Sequence, residues 1–173
     1  MIRMEIKTRV LPADEAGVAE AAQLLRQGQL VALPTETVYG IAADARNGAA
    51  VRNIFVAKGR PQDNPLIVHV TGPEMLPGLV SEVPERAQLL MAAFCPGPLT
   101  IIMPRGPEVA DECCAGLDTV GIRMPSHPVA RAVIQQSLGT GVVILNFGVY
   151  IYLRTLFTDL IKMNEYTSTA NGL

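Results

Sequence analysis

Apolar residues recur along this chain with two different periods. Residues 14–27 carry Val18, Ala21, Ala22, Leu24 and Leu25 at helical spacing, and Gly28 is positioned to stop the helix. Residues 48–57 repeat the pattern with Val51, Ile54 and Phe55 on one face. Helices are also predicted from Pro84 to Phe94, with proline in the first turn, and from a Ser126 cap to about Ser137, with Gly139 as the stop. Between them lie short apolar runs bounded by Gly and Pro. Leu30–Leu33, Pro65–Val70, Leu99–Met103, Thr119–Met124 and Gly141–Leu145 each predict a buried strand. Helices alternating with short strands indicate an α/β sheet domain.

Beyond Asn146 the pattern changes. All thirteen prolines lie at or before Pro128, and five of the eight aromatics are Phe147, Tyr150, Tyr152, Phe157 and Tyr166. Leu153, Leu156, Phe157, Leu160 and Ile161 form an amphipathic stripe. Arg154 and Asp159 interrupt the apolar run from Val142 before it reaches the roughly 18–20 residues of a membrane span. The stripe therefore reads as a helix packed on something, with a membrane-surface segment as the weaker alternative because its basic charge is sparse, and no membrane partner is expected.

Composition narrows the function classes. With 173 residues, 49% apolar and 17% charged, the chain is large enough for a core. A net charge of −2 argues against a strongly basic nucleic-acid module. Cys95, Cys113 and Cys114 offer neither a C-x-x-C pair nor a zinc spacing, so no metal ligands and a reducing, cytoplasmic setting are expected. No signal peptide is expected from the first residues.

Three segments can carry chemistry. Pro34–Gly40 follows a strand and holds Thr35 and Thr37, whose hydroxyls can donate to a carboxylate or phosphate, or can satisfy their own turn. Lys58 and Arg60 lie on a loop stiffened by Pro61 and Pro65. They can bind a polyphosphate, or form a solvated basic pair at a helix end. Strand alternation puts Thr119, Gly121 and Arg123 on one face, and an arginine within an apolar strand needs an anionic partner, from a structural carboxylate or a ligand. His69 reads as a satisfied core histidine and His127 as structural. The Pro96-Gly97-Pro98 turn reads as architecture.

Four segments, "ALPTETVYGIAADA", "VAKGRPQDNPLIVHV", "CPGPLTIIMPR" and "TVGIRMPSHPVARAVI", together resemble the threonylcarbamoyl-AMP synthase (YrdC-like) family over about residues 10–143. The resemblance implies a single YrdC-like α/β domain with a twisted mixed sheet flanked by helices. It implies synthesis of L-threonylcarbamoyladenylate and pyrophosphate from ATP, L-threonine and bicarbonate, with Mg²⁺ accompanying ATP. A partner transferase system then modifies tRNA. Carried over residue by residue, the threonine positions are Thr37, with Thr35 beside it, His69 and Arg123. Lys58, Arg60, Asn64 and Thr119 are ATP positions, and Lys58 and Arg60 would neutralise charge during the reaction.

The resemblance stops near residue 143, so residues 1–143 are expected to form the domain and 144–173 a divergent tail. Where members carry Pro-Ser-Ala-Asn, this chain has Ile144-Leu145-Asn146-Phe147, and leucine has no hydroxyl to offer ATP. This favours, as the alternative, a non-catalytic RNA-binding module. A carbamoyl-transfer domain like those of hydrogenase-maturation proteins is a third reading.

Overall fold

A computed structural model describes residues 8–59, 61–137 and 142–146. The first helix, α1 (Glu15–Arg26), buries Val18, Ala21, Ala22 and Leu25, a single stripe at helical spacing. The Asp14 side chain caps it by accepting from Gly17 N at 2.9 Å, and Gly28 ends it at φ 73°, a conformation that costs glycine little. Strands β1 (Val31–Leu33) and β2 (Gly40–Asp44) follow. The next helix, α2 (Gly48–Lys58), starts on the Asn47 side chain and stops at Gly59, also left-handed at φ 61°. Strand β3 (Ile67–His69) leads through a short 3₁₀ turn (Pro73–Met75) to α3 (Glu85–Phe94) and β4 (Thr100–Pro104). The remaining elements are α4 (Asp111–Cys114), β5 (Thr119–Arg123), α5 (Pro128–Ser137) and β6 (Val142–Asn146).

The predicted helices and strands are all present, with two additions and one change. Strand β2 was hidden because its Gly-Ile-Ala-Ala-Asp sequence has a single β-branched residue and no apolar–polar alternation. The single turn of α4 is too short to show a helical period. Ser126 is not the cap of α5. His127 occupies that place, its carbonyl accepting from Arg131 N at 3.1 Å, while the Ser126 N–H donates to Glu36. Arg60, Gly139, Gly141 and every reading of the tail beyond Asn146 fall outside the described residues.

The six strands form one mixed sheet in the order β1-β2-β6-β3-β5-β4. Only the β3–β5 pair is parallel. Strand β6 lies in the middle and runs across the expected boundary at residue 143, pairing with both β2 and β3. Helix α1 packs on α5, β1 and β2, and α2 on β2 and α4.

The registers make the two faces of the sheet unlike. One row runs Ala43–Val143–Val68–Ile122–Ile101 across five strands, and every member is buried. The next row, on the opposite face, runs Ala42–Ile144–Ile67–Gly121–Ile102. It begins buried, becomes half-buried at Ile67 and Gly121, and ends with Ile102 71% exposed. Along this row that face is covered toward β2 and β6 and open toward β4. The candidate site lies on the same face, one row along, at the ends of β3 and β5.

Candidate functional site

A third row, on the same partly open face, runs Asp44–Val142–His69–Arg123–Thr100. Two of its members are ionisable side chains buried within a sheet, and each is placed by strand register. His69 is fully buried and Arg123 is 4% exposed. Both end their strands, and β3 and β5 run parallel, so the two side chains reach the same end of the sheet.

The loop between β1 and β2 closes over that end. Arg123 Nη2 donates to Glu36 Oε1 at 2.6 Å and to Thr37 Oγ1 at 3.3 Å. Glu36 Oε2 accepts from Ser126 N at 3.3 Å, tying the loop to the entry of α5. Thr35 Oγ1 donates to Val38 O at 2.6 Å and accepts from Thr37 N and Val38 N at 3.3 and 3.2 Å. It therefore satisfies its own turn, one of the two alternatives open to it. It also lies 3.1 Å from Thr37 Oγ1 and so helps to hold that hydroxyl against the arginine. The anionic partner that Arg123 required is Glu36, a structural carboxylate. Sequence reasoning missed Glu36 because a glutamate in a polar turn carries no signal of a partner 87 positions away.

The electrostatics follow from burial. Burial raises the Glu36 carboxyl, but the hydrogen bond and charge of Arg123 and the backbone donors outweigh it, and Glu36 is held below the ordinary carboxylate range. Burial, with the charge of Arg123 beside it, lowers His69 to about 3, so the imidazole is neutral near pH 7. His69 Nδ1 lies 3.1 Å from the Ile67 carbonyl oxygen. A carbonyl only accepts, so Nδ1 carries the proton and Nε2 is a bare acceptor.

Among the described residues, three buried polar atoms in this row have no partner: His69 Nε2, Arg123 Nε and Thr100 Oγ1. His69 is thus only half of the satisfied core histidine expected. Unpartnered buried groups are costly, and three on adjacent strands mark a place prepared for a polar ligand. Between them they offer a donor, an acceptor and a hydroxyl that is either.

The other predicted site residues lie elsewhere. Thr119 begins β5, half-buried, about 13 Å from Arg123 by strand rise. The apolar strip of Ile67, Gly121 and Ile102 lies on the same face, between the two ends of β5. Asn64 is exposed on the loop before β3 and donates to Asp63 Oδ1 at 3.2 Å. Lys58 is the last residue of α2 and half-buried. Among the described residues, no cluster of His, Cys, Asp and Glu is arranged to hold a metal ion, and no helix is long and apolar enough to cross a membrane.

The chain is similar in sequence and fold to known proteins. A family model described as telomere recombination, Sua5/YciO/YrdC, matches residues 23–144. A threonylcarbamoyl-AMP synthase of Bacillus subtilis is 50% identical over 131 residues, covering 75% of this chain and 38% of the relative. That of Pyrococcus abyssi is 48% identical over 124 residues, covering 72% and 36%. The chain thus spans under two-fifths of the length of these curated relatives. The crystal structure of P. abyssi Sua5 complexed with L-threonine superposes with a TM-score of 0.74 at 44% identity, over 80% of this chain and 40% of that one. The family model and the shared fold agree on one conclusion: this chain belongs to the Sua5/YciO/YrdC family.

Proposed function

We propose that this chain carries out, as the catalytic domain, the ATP-dependent synthesis of L-threonylcarbamoyladenylate. The observation that carries the reading is the gathering of Thr37, His69 and Arg123, from three distant segments, into one cluster with unpartnered polar atoms. These are the residues for which the family resemblance implies contact with threonine. A relative's structure described as complexed with L-threonine supports an amino-acid ligand for this reading.

In this reading the amino acid occupies the His69–Arg123 end. ATP lies toward Thr119, with Lys58, Arg60 and Asn64 on its phosphates and Mg²⁺ arriving on the nucleotide. Threonine's amine and bicarbonate combine as a carbamate with loss of water. A carbamate oxygen then attacks the α-phosphorus, and pyrophosphate leaves. No protein nucleophile is needed. The protein's work is to align two anions and to offset the charge between them. The adenylate would pass to a tRNA-modifying transferase.

The test is pyrophosphate release by the purified chain. Release that requires ATP, L-threonine and bicarbonate together, and that is lost in Arg60→Ala, supports the reading. Release that ignores threonine, or no release from folded protein, rejects it. The second reading, an RNA-binding module, is favoured by Ile144–Asn146, which stand where family members hold ATP and form the central strand β6. Salt-dependent RNA affinity without nucleotide binding would establish it instead.

A further inference from the structure

Glu36 stands in an unusual place for a carboxylate. It lies on the loop that covers the candidate amino-acid site, its side chain is 17% exposed, and one of its oxygens is spent on Arg123. The other accepts a backbone N–H. The carboxylate also accepts from the Glu36 backbone N–H, so three of the four acceptor sites on its two oxygens are used and at least one stays open.

The local charges follow. Arg123 contributes one positive charge and Glu36 one negative charge. His69 is neutral, and Thr35, Thr37 and Thr100 contribute hydroxyls. A ligand that is a bare carboxylate would meet an arginine whose charge is already matched, with a second carboxylate beside it. Such a ligand gains the single hydrogen bond of Arg123 Nε–H but meets like-charge repulsion from Glu36. A ligand carrying both a carboxylate and an ammonium meets a complementary pair. Its carboxylate accepts from the free Arg123 Nε–H, and its ammonium faces the open acceptor site of Glu36. A hydroxyl can donate to the bare His69 Nε2.

We propose that Glu36 is a positioning and specificity-determining residue of this site: it clamps Arg123 Nη2, leaves Nε for the ligand, and makes the site select a zwitterion over a simple anion. The proposal rests on the amino-acid reading of the site. It adds a residue that reads the ligand's amino group, which becomes the reaction's nucleophile once it has given up a proton to solvent or bicarbonate.

The experiment is calorimetric titration of the 173-residue chain with L-threonine and with 3-hydroxybutyrate, which keeps the carboxylate and hydroxyl and lacks the amine. The unsubstituted chain should bind L-threonine at least about tenfold more tightly, the scale of one close charge pair. Glu36→Gln keeps the shape and an acceptor for Arg123 but removes the charge, and should narrow that preference by about tenfold. Glu36→Asp restores the charge and should restore the preference. A purely structural role would weaken both ligands in parallel with an unchanged ratio, which overturns the proposal. Equal affinity of the unsubstituted chain for both ligands overturns it without any substitution. If the unsubstituted chain binds 3-hydroxybutyrate but not L-threonine, or neither, the amino-acid reading falls and this inference with it.

Discussion

The two ends of β5 present their polar groups in opposite ways. At the Arg123 end, polar side chains are buried, held by strand register and cross-linked to a loop and a helix entry. At the Thr119 end, the strand meets a loop whose Asn64 is exposed and bonded to its own neighbour. The first end is preorganised, with its donors aimed before any ligand arrives. The second presents an exposed side chain bonded only within its own loop, so a ligand there would have to reorder it. A small amino acid suits the first kind of site, because it has few atoms with which to offset reorganisation. A nucleotide with three phosphates can tolerate the second.

The largest effect should come from breaking the buried pair. Arg123→Ala leaves Glu36 without its partner and opens space beneath the loop, and is expected to cost about 3 kcal/mol, as removal of one member of a buried pair does. It should also abolish L-threonine binding. Denaturant unfolding with calorimetry checks both, and a loss under about 1 kcal/mol would show that the end is not held as described.

Acidification is the next lever. The folded state keeps His69 neutral, whereas the unfolded chain protonates it below about 6.5. Between that value and about 3 the unfolded state binds more protons, so stability falls as the pH drops through this window. The slope is at most about 1.4 kcal/mol per pH unit from this residue. Glu36 acts in the same direction below its ordinary value of 4.5, because its folded form is lowered. His69→Gln should flatten the profile above the carboxylate range. An unchanged profile would mean that His69 is not the acid-sensitive group.

The smallest structural effect belongs to the exposed loop. Asn64→Ala should change stability by no more than about 0.5 kcal/mol, as at ordinary surface sites. If nucleotide affinity falls in the same variant, the two ends separate cleanly into one that carries stability and one that carries only binding. A larger stability loss would erase the distinction.

Much of the fold was legible in the chain. The stripe of Val18, Ala21, Ala22 and Leu25, and the β-branched run around Val68, specify their elements through local periodicity. Strand β2 was not legible, since its alanines are buried by neighbours rather than by any pattern of their own. The site was legible in part. Arg123 announced its need for an anion, because a lone cation cannot stay buried. Its choice of Glu36, 87 positions earlier, belongs to no local rule. Ile102 looked like any core residue of a strand, yet it is exposed because it lies on the edge strand β4, where its row of that face is left uncovered.

By itself, then, the sequence determined which segments become helices and strands, which residue types carry charge, and that one arginine must find a partner. These depend on interactions within a few residues along the chain. The tertiary structure alone decided that His69, Arg123 and Thr100 form one row, which of their atoms stay unpartnered, and that Glu36 matches the arginine's charge. Register between strands far apart in sequence sets those relations, and burial turns them into chemistry by removing the water that would otherwise satisfy each group alone.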